Sequence, residues 1–136
     1  MYDFIVIGGG PAGMMAAGRA GARGKKVILL EKKDRLGKKL LICASGRCNV
    51  TNTASLDAFI KAYGRGGFFL RSALQTFDNE KLRAFLLSYG VETVVENKGR
   101  VFPKSQKADS ILKALETYMH DHKVKIQTNS PVLRLN

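Results

Sequence analysis

The chain has 136 residues, of which 45% are hydrophobic and 25% are charged. A chain of this length forms one domain with its own core, and this composition excludes disordered and fibrous proteins. No apolar run approaches the roughly 20 residues that span a bilayer. The first run follows Asp3 rather than the basic segment of a signal peptide, and two cysteines are too few for a disulfide framework. We therefore expect a soluble cytoplasmic protein.

The charge is strongly basic, with 23 Lys and Arg against 11 Asp and Glu and a formal net charge of +12. Ten of the basic residues lie between Arg19 and Arg47, where only Glu31 and Asp34 oppose them. Such a segment suits phosphate. A nucleic acid and a bound nucleotide both carry phosphate, so charge alone leaves the partner open.

Two short apolar runs with small residues between them predict a strand–helix–strand unit. Residues 2–7 and 27–30 are typical of strands buried on both faces of a parallel sheet. Residues 11–23 between them are compatible with a helix that has Pro11 in its first turn and stops at Gly24. The connection between two such strands is right-handed.

The rest of the chain contains one long loop, over residues 32–54, followed by helices and a hairpin. The loop shows no helical period and is predicted to hold about one turn of structure. Beyond it, apolar spacing and the caps Ser55 and Asp78 predict amphipathic helices. The predicted helices are 56–63, 70–77, 82–89 and 108–120, and the predicted strands are 91–96, 100–102, 124–128 and 132–135.

A Gly-x-Gly-x-x-Gly motif, formed by Gly8, Gly10 and Gly13, joins the first predicted strand to the first helix. In a dinucleotide fingerprint, the first glycine allows a tight turn and the second lets a pyrophosphate approach the backbone. The third lets the helix pack closely on the strand. The helix start around Pro11 and Ala12 favours the anion through its amides and its dipole.

Glu31 ends the second predicted strand, where a carboxylate accepts hydrogen bonds from an adenosine ribose. A glycine motif alone is weak evidence, because glycine-rich turns also occur without a ligand. Here a strand, a helix, a second strand and an acid occur together, which predicts an adenine dinucleotide. An acid at position 31 also disfavours the 2′-phosphate of NADP.

The long basic loop favours FAD over NAD, since a nicotinamide dehydrogenase would continue with another helix and strand soon after Glu31. Basic side chains of the loop could face a pyrophosphate, and Gly46 and Asn49 could supply donors to a flavin. For Lys32 alone, a solvated loop is the simpler interpretation; Arg47 is predicted to face the cofactor. The loop residues predicted to bind the cofactor are Lys32, Lys39, Gly46, Arg47, Cys48 and Asn49.

Five segments in order resemble the start of the YhiN/BaiN-type flavoproteins. They are residues 8–13, 31–32, 37–42, 46–52 and 99–105, and the Gly-Arg-Cys-Asn-x-Thr-Asn segment is the most specific of them. This family includes aminoacetone oxidases and a bile-acid pathway reductase, and it belongs to the glutathione-reductase-like FAD superfamily.

The resemblance implies an α/β fold: a three-layered, Rossmann-like FAD-binding domain over residues 1–136, with 55–107 as a helical and hairpin insertion between the second and third sheet strands. It also implies a flavin-dependent oxidoreductase that acts on a small molecule, with NAD(P)H as a candidate reductant. By family analogy, backbone groups near Val132 face the adenine.

Two departures from the family are visible. The family usually has Ser-Gly-Gly-Gly before Arg-Cys-Asn, whereas this chain has Cys43-Ala44-Ser45-Gly46, whose middle residues have less backbone freedom than glycine. Family members are also much longer. We therefore expect an amino-terminal fragment, incomplete at its C-terminal side, whose first strand has an unpaired edge and an uncovered apolar face. A missing chain segment or an oligomer partner would complete it.

No catalytic residue and no metal site are predicted. Cys43 and Cys48 lack the Cys-x-x-Cys spacing of a redox pair, and Cys48 suits a small packing residue beside the flavin loop. His120 and His122 are interpreted as a solvated helix end rather than as metal ligands.

Three functions remain open from the sequence. The first is the FAD-binding portion of a flavin-dependent oxidoreductase. The second is a nucleotide-binding module without turnover, and the third is an RNA-associated flavoprotein. RNA and membrane partners are not expected, since the basic segment between Arg19 and Arg47 has no aromatic residue for base stacking.

Overall fold

A computed structural model describes residues 1–135, which form two small sheets and six α-helices. The strands are β1 (Phe4–Ile7), β2 (Val27–Leu30), β3 (Thr51–Asn52), β4 (Thr93–Glu96), β5 (Arg100–Pro103) and β6 (Lys125–Gln127). The helices are α1 (Pro11–Gly21), α2 (Lys38–Leu41), α3 (Leu56–Ala62), α4 (Gly67–Thr76), α5 (Asn79–Ser88) and α6 (Ala108–Asp121). None of these helices has the length and apolar character required to cross a bilayer.

The predicted strand–helix–strand unit is present. β1 and β2 run parallel with Phe4 opposite Val27, and β6 pairs parallel with the other side of β2. Central β2 is buried, as predicted. The prediction of burial on both faces is wrong for β1, where Ile5 is 61% and Ile7 52% exposed. As the edge strand, β1 has one neighbour among the described strands, which matches the expected unpaired edge and uncovered face.

The core lies where α1 and α6 pack against the parallel sheet. The buried side chains of α6 include Ile111, Leu112, Leu115, Tyr118 and Met119, the face that its apolar spacing predicts. Burying each large apolar side chain contributes roughly 1.5–3 kcal/mol. The two helices cross closely, since a Cβ on Gly18 would lie 2.4 Å from the Tyr118 ring.

The segment between β2 and β6 contains a second sheet and all four of the predicted helices. β5 pairs antiparallel with β3 and β4, and β4 and β5 form the predicted hairpin. Both predicted caps are confirmed: Ser55 Oγ accepts the Ala58 amide at 3.3 Å, and Asp78 Oδ1 accepts the Lys81 amide at 2.8 Å. The division into one domain with an insertion over 55–107 stays a prediction.

Several elements differ from the sequence-based prediction: α4 and α5 begin three residues earlier than predicted, β4 begins two residues later, and β6 is shorter by one residue at each end. α1 ends at Gly21 rather than at residue 23, because Arg23 and Gly24 donate to carbonyls three residues back in a tightened last turn. The loop over 32–54 holds more structure than predicted, namely α2, β3 and a 3₁₀ turn at Cys43–Gly46. The predicted strand at 132–135 is absent, since no described strand pairs with it.

Candidate dinucleotide site

The glycine turn between β1 and α1 has the geometry that its sequence predicts. Gly8 has φ +102°, a conformation that side chains rarely adopt. A Cβ on Gly13 would lie 2.0 Å from the Gly8 carbonyl oxygen, so the helix approaches the turn too closely for any side chain there. Gly10 differs, because no atom lies within 4 Å of the Cβ it would carry. The turn is therefore closed at Gly13 and open at Gly10.

The N-terminus of α1 presents backbone amides that donate to no group among the described residues. Gly10 offers no side-chain cap, Pro11 is the first helical residue, and no acidic residue lies in the first turn. The amides of Ala12 and Gly13 have no acceptor among residues 1–135. Free amides and the helix dipole together favour an anion, so this end of α1 fits the pyrophosphate of a dinucleotide.

Glu31 stands directly beside the glycine turn. Its Oε1 accepts the Lys33 amide at 2.8 Å, and its Oε2 accepts the Gly9 amide at 2.7 Å. These bonds from Lys33 and then Gly9 lower the pKa of the Glu31 carboxyl below its ordinary value. The ionised carboxylate keeps acceptor capacity on both oxygens, which suits the hydroxyl groups of a ribose.

A cavity of about 750 Å³ begins at Gly10 and Pro11 and continues beneath the basic loop. We call it the main cavity. Its walls include three further residues predicted to bind the cofactor: Lys39, Cys48 and Asn49. Its floor is apolar and comes from α1, α2, α5 and α6, through Met15, Leu40, Leu86, Ile111 and Leu115. A mostly apolar space that is also lined by Lys39 and Asn49 suits a planar ring joined to a phosphate chain.

The apolar floor was missed from the sequence. Its residues come from four helices, and Ile111 and Leu115 belong to a stripe that predicts only core packing. Helical spacing predicts which face of a helix is buried, but it does not predict whether protein or a cofactor packs against that face.

Arg47 points to the hairpin rather than into the main cavity. It pairs with Glu96, its Nε donates to Gln106 Oε1 at 2.8 Å, and its guanidinium carbon lies 4.3 Å from the centroid of the Phe102 ring. Lys32 is exposed beyond β2, and Val132 is 36% exposed in the segment after β6. The structure therefore brings Gly10, Pro11, Lys39, Cys48 and Asn49 together, but not Lys32, Arg47 and Val132.

Cys48 is a buried residue of the core, and Cys43 is exposed. Burial raises the pKa of the Cys48 thiol to about 11, so it is protonated at neutral pH. Both cysteines are free thiols. The histidines have other partners: His122 packs edge-on against Tyr118 with ring centroids 5.0 Å apart, and His120 lies 3.7 Å from Asp121.

In the loop at Cys43–Gly46, two residues that carry side chains adopt the positive φ angles that glycine normally adopts. Ala44 has φ +47° and Ser45 has φ +55°, and Gly46 follows with φ +87°. A left-handed conformation costs a residue with a side chain roughly 1–2 kcal/mol. The loop therefore stores strain at the two positions where this chain departs from the glycines of the flavoproteins it resembles.

We expect Ala44→Gly and Ser45→Gly each to raise the free energy of unfolding by about 1 kcal/mol, because glycine adopts positive φ without this penalty. Urea denaturation measures the change. Ala84→Gly, at an exposed site inside α5, is the control and should lower stability by about 1 kcal/mol. Equal losses at all three positions would contradict the strain argument.

Comparison with known proteins assigns the class. Residues 2–136 match the HI0933-like protein Rossmann domain. The 3-dehydro-bile acid delta(4,6)-reductase of Clostridium scindens is 39% identical over 126 residues, which cover 90% of this chain and 30% of that protein. The ribosomal RNA dihydrouridine synthase of Escherichia coli is 30% identical over 102 residues, which cover 74% of this chain and 25% of that protein.

Among solved structures, the open conformation of a flavocytochrome c3 fumarate reductase superposes with a TM-score of 0.65 at 21% identity, covering 94% of this chain and 26% of that one. The fold is thus Rossmann-like, as predicted. The chain belongs to the HI0933-like Rossmann-domain family. It spans about 30% of the length of the bile acid reductase.

Proposed function

We propose that this chain is the FAD-binding portion of a flavin-dependent oxidoreductase. The glycine turn and Glu31 hold the ADP half of FAD, and the main cavity receives the flavin half. The observation that carries this proposal is the juxtaposition of free α1 amides, the open face of Gly10 and the Glu31 carboxylate at the glycine turn, where Gly10 and Pro11 line that cavity.

In this arrangement each residue has a separate task. The amides of Ala12 and Gly13 stabilise the pyrophosphate, and Gly10 leaves room for it. The Glu31 carboxylate accepts the ribose hydroxyls. Lys39 and Asn49 line the main cavity and offer a positive charge and amide donors to the cofactor.

When bound, the flavin supplies the hydride or electron transfer, and the protein supplies binding, orientation and control of access. Leu40, Leu86 and the other floor residues keep water from one side of the ring space. We propose a small-molecule substrate, with NAD(P)H as a candidate reductant; the similarity to a bile acid reductase supports this class. Lys32, Gly46, Arg47 and Val132 stay predictions as cofactor contacts.

We expect Glu31→Arg to weaken FAD binding at least about tenfold, because it removes the ribose acceptor and adds bulk and charge beside the Gly9 amide. A fluorescence titration of purified protein with FAD measures the affinity. Glu31→Gln is the matched control: it keeps the shape and loses the charge, and it should fall between the wild type and Glu31→Arg. Wild-type affinity in Glu31→Arg would show that the ribose does not bind there.

An RNA-associated flavoprotein is the second candidate, favoured by the net charge of +12 and by the name of the Escherichia coli relative. Exposed Phe68 and Phe69 lie at the start of α4, outside the basic segment. Titration of an RNA oligonucleotide at increasing salt separates the candidates, since phosphate-driven binding weakens steeply as salt rises.

A further inference from the structure

A second cavity, of about 440 Å³, lies between α3, α4, β3 and the start of α5. We call it the side cavity. Leu56, Phe59, Tyr63 and Leu74 form most of its apolar wall. The two helices above it are largely exposed to solvent, since none of the α3 residues is buried and Gly67 is the one buried residue of α4 among those described. The rest of the described chain covers little of either helix, so a ligand can reach the apolar space.

The side cavity adjoins the main cavity. Val50, Phe77 and Leu82 line both of them. A molecule in the side cavity would therefore be separated from the proposed flavin space by single side chains. The location is suitable for a substrate or for the distal part of one.

The charges around the side cavity disfavour an anionic ligand. Among the described residues that line it there is no lysine or arginine, although the chain carries 23 of them. The two lining carboxylates already have partners: Asp78 accepts the Lys81 amide, and Glu80 Oε2 lies 3.2 Å from Arg83 Nη1. No cation among the lining residues could neutralise a bound anion, and an unpaired anion is costly to bury.

Polar groups that could orient a neutral ligand are present. Thr51, Thr53 and Tyr63 line the cavity, and their hydroxyls make no hydrogen bond within residues 1–135. The Asn79 amide, by contrast, is already bonded to the carbonyls of Asn52 at 2.6 Å and Ala54 at 3.1 Å. A ligand carrying a hydroxyl or carbonyl group would find partners among the three hydroxyls.

We propose that the side cavity binds an apolar molecule that carries a hydroxyl or carbonyl group and no anionic group. As a statement about substrate class, this rests on the proposed function. The proposal favours a neutral small-molecule substrate over a phosphate-bearing one, because the cavity provides apolar contact and hydroxyl partners but no cation.

The test uses the 136-residue chain with methyl-labelled leucine, titrated with 2-naphthol and with its anionic counterpart 2-naphthoate. We expect 2-naphthol to shift the methyl signals of Leu56, Leu74 and Leu82, and 2-naphthoate to bind at least about tenfold more weakly. Ala54→Phe, which fills the cavity, should raise the dissociation constant of 2-naphthol at least about tenfold. Ala62→Phe, at the exposed end of α3, should leave it unchanged within about twofold.

Three results would overturn the proposal: no shift at these leucines, shifts confined to leucines elsewhere such as Leu133, or equal binding of the two probes. The wild-type spectra carry the test even if Ala54→Phe does not fold. FAD affinity is measured on the same samples. Loss of FAD binding with intact 2-naphthol shifts would reject the proposed function alone, whereas FAD binding without those shifts would reject the side cavity alone.

Discussion

Gly10→Val should lose FAD affinity by about 100-fold or more while the protein stays folded. Gly10 lies at the start of α1 with φ −79° and ψ 173°, a conformation open to any residue, and the space beside it is empty. Valine therefore fits the fold. Its methyl groups occupy the space through which the pyrophosphate must approach the Ala12 and Gly13 amides. FAD titration gives the affinity, and thermal unfolding of the apoprotein gives the stability.

Gly10→Ala is the graded control for that experiment. One methyl group should give an intermediate loss of FAD affinity, since it intrudes on the same approach with less volume. If Gly10→Val bound FAD like the wild type, the cofactor would not pass over the glycine turn, and the role proposed for the start of α1 would be wrong.

The sequence predicts the parts of this fold that depend on neighbours along the chain. β2 matches its predicted limits because four consecutive apolar residues suit a central strand. The buried face of α6 and the caps at Ser55 and Asp78 are also encoded within a few residues. The segment 132–135 shows the limit of such patterns, since alternation produces a strand only where another strand pairs with it.

Site residues depend on contacts that no local pattern contains. Arg47 follows a glycine in a basic loop, which suggests a phosphate partner, yet the groups it meets are Glu96 and Gln106, 49 and 59 residues further along. The geometry of the glycine turn, by contrast, is predictable from local sequence. Its spacing encodes both the close helix–turn approach at Gly13 and the opening at Gly10, because these follow from backbone geometry over six residues.

Gly13→Ala should lower the stability of the fold itself, whereas Gly10→Val acts on cofactor binding at the same turn. Alanine at position 13 places a Cβ 2.0 Å from the Gly8 carbonyl oxygen. That oxygen belongs to the backbone at the end of β1 and cannot rotate away as a side chain would. α1 must move off the sheet to accommodate the methyl group. We expect the free energy of unfolding to fall by about 3 kcal/mol, measured by urea denaturation of the apoprotein.

The matched control is the same substitution three residues earlier. Gly10→Ala adds an identical methyl group where nothing lies within 4 Å and should lower stability by less than about 1 kcal/mol. The two variants should therefore differ in opposite respects. Gly13→Ala should unfold at a lower urea concentration than the wild type in the absence of FAD. Gly10→Ala should unfold near the wild-type midpoint but bind FAD more weakly. Equal stability of the two variants would mean that α1 shifts at little cost. The third glycine would then serve the cofactor rather than the packing of the helix on the strand.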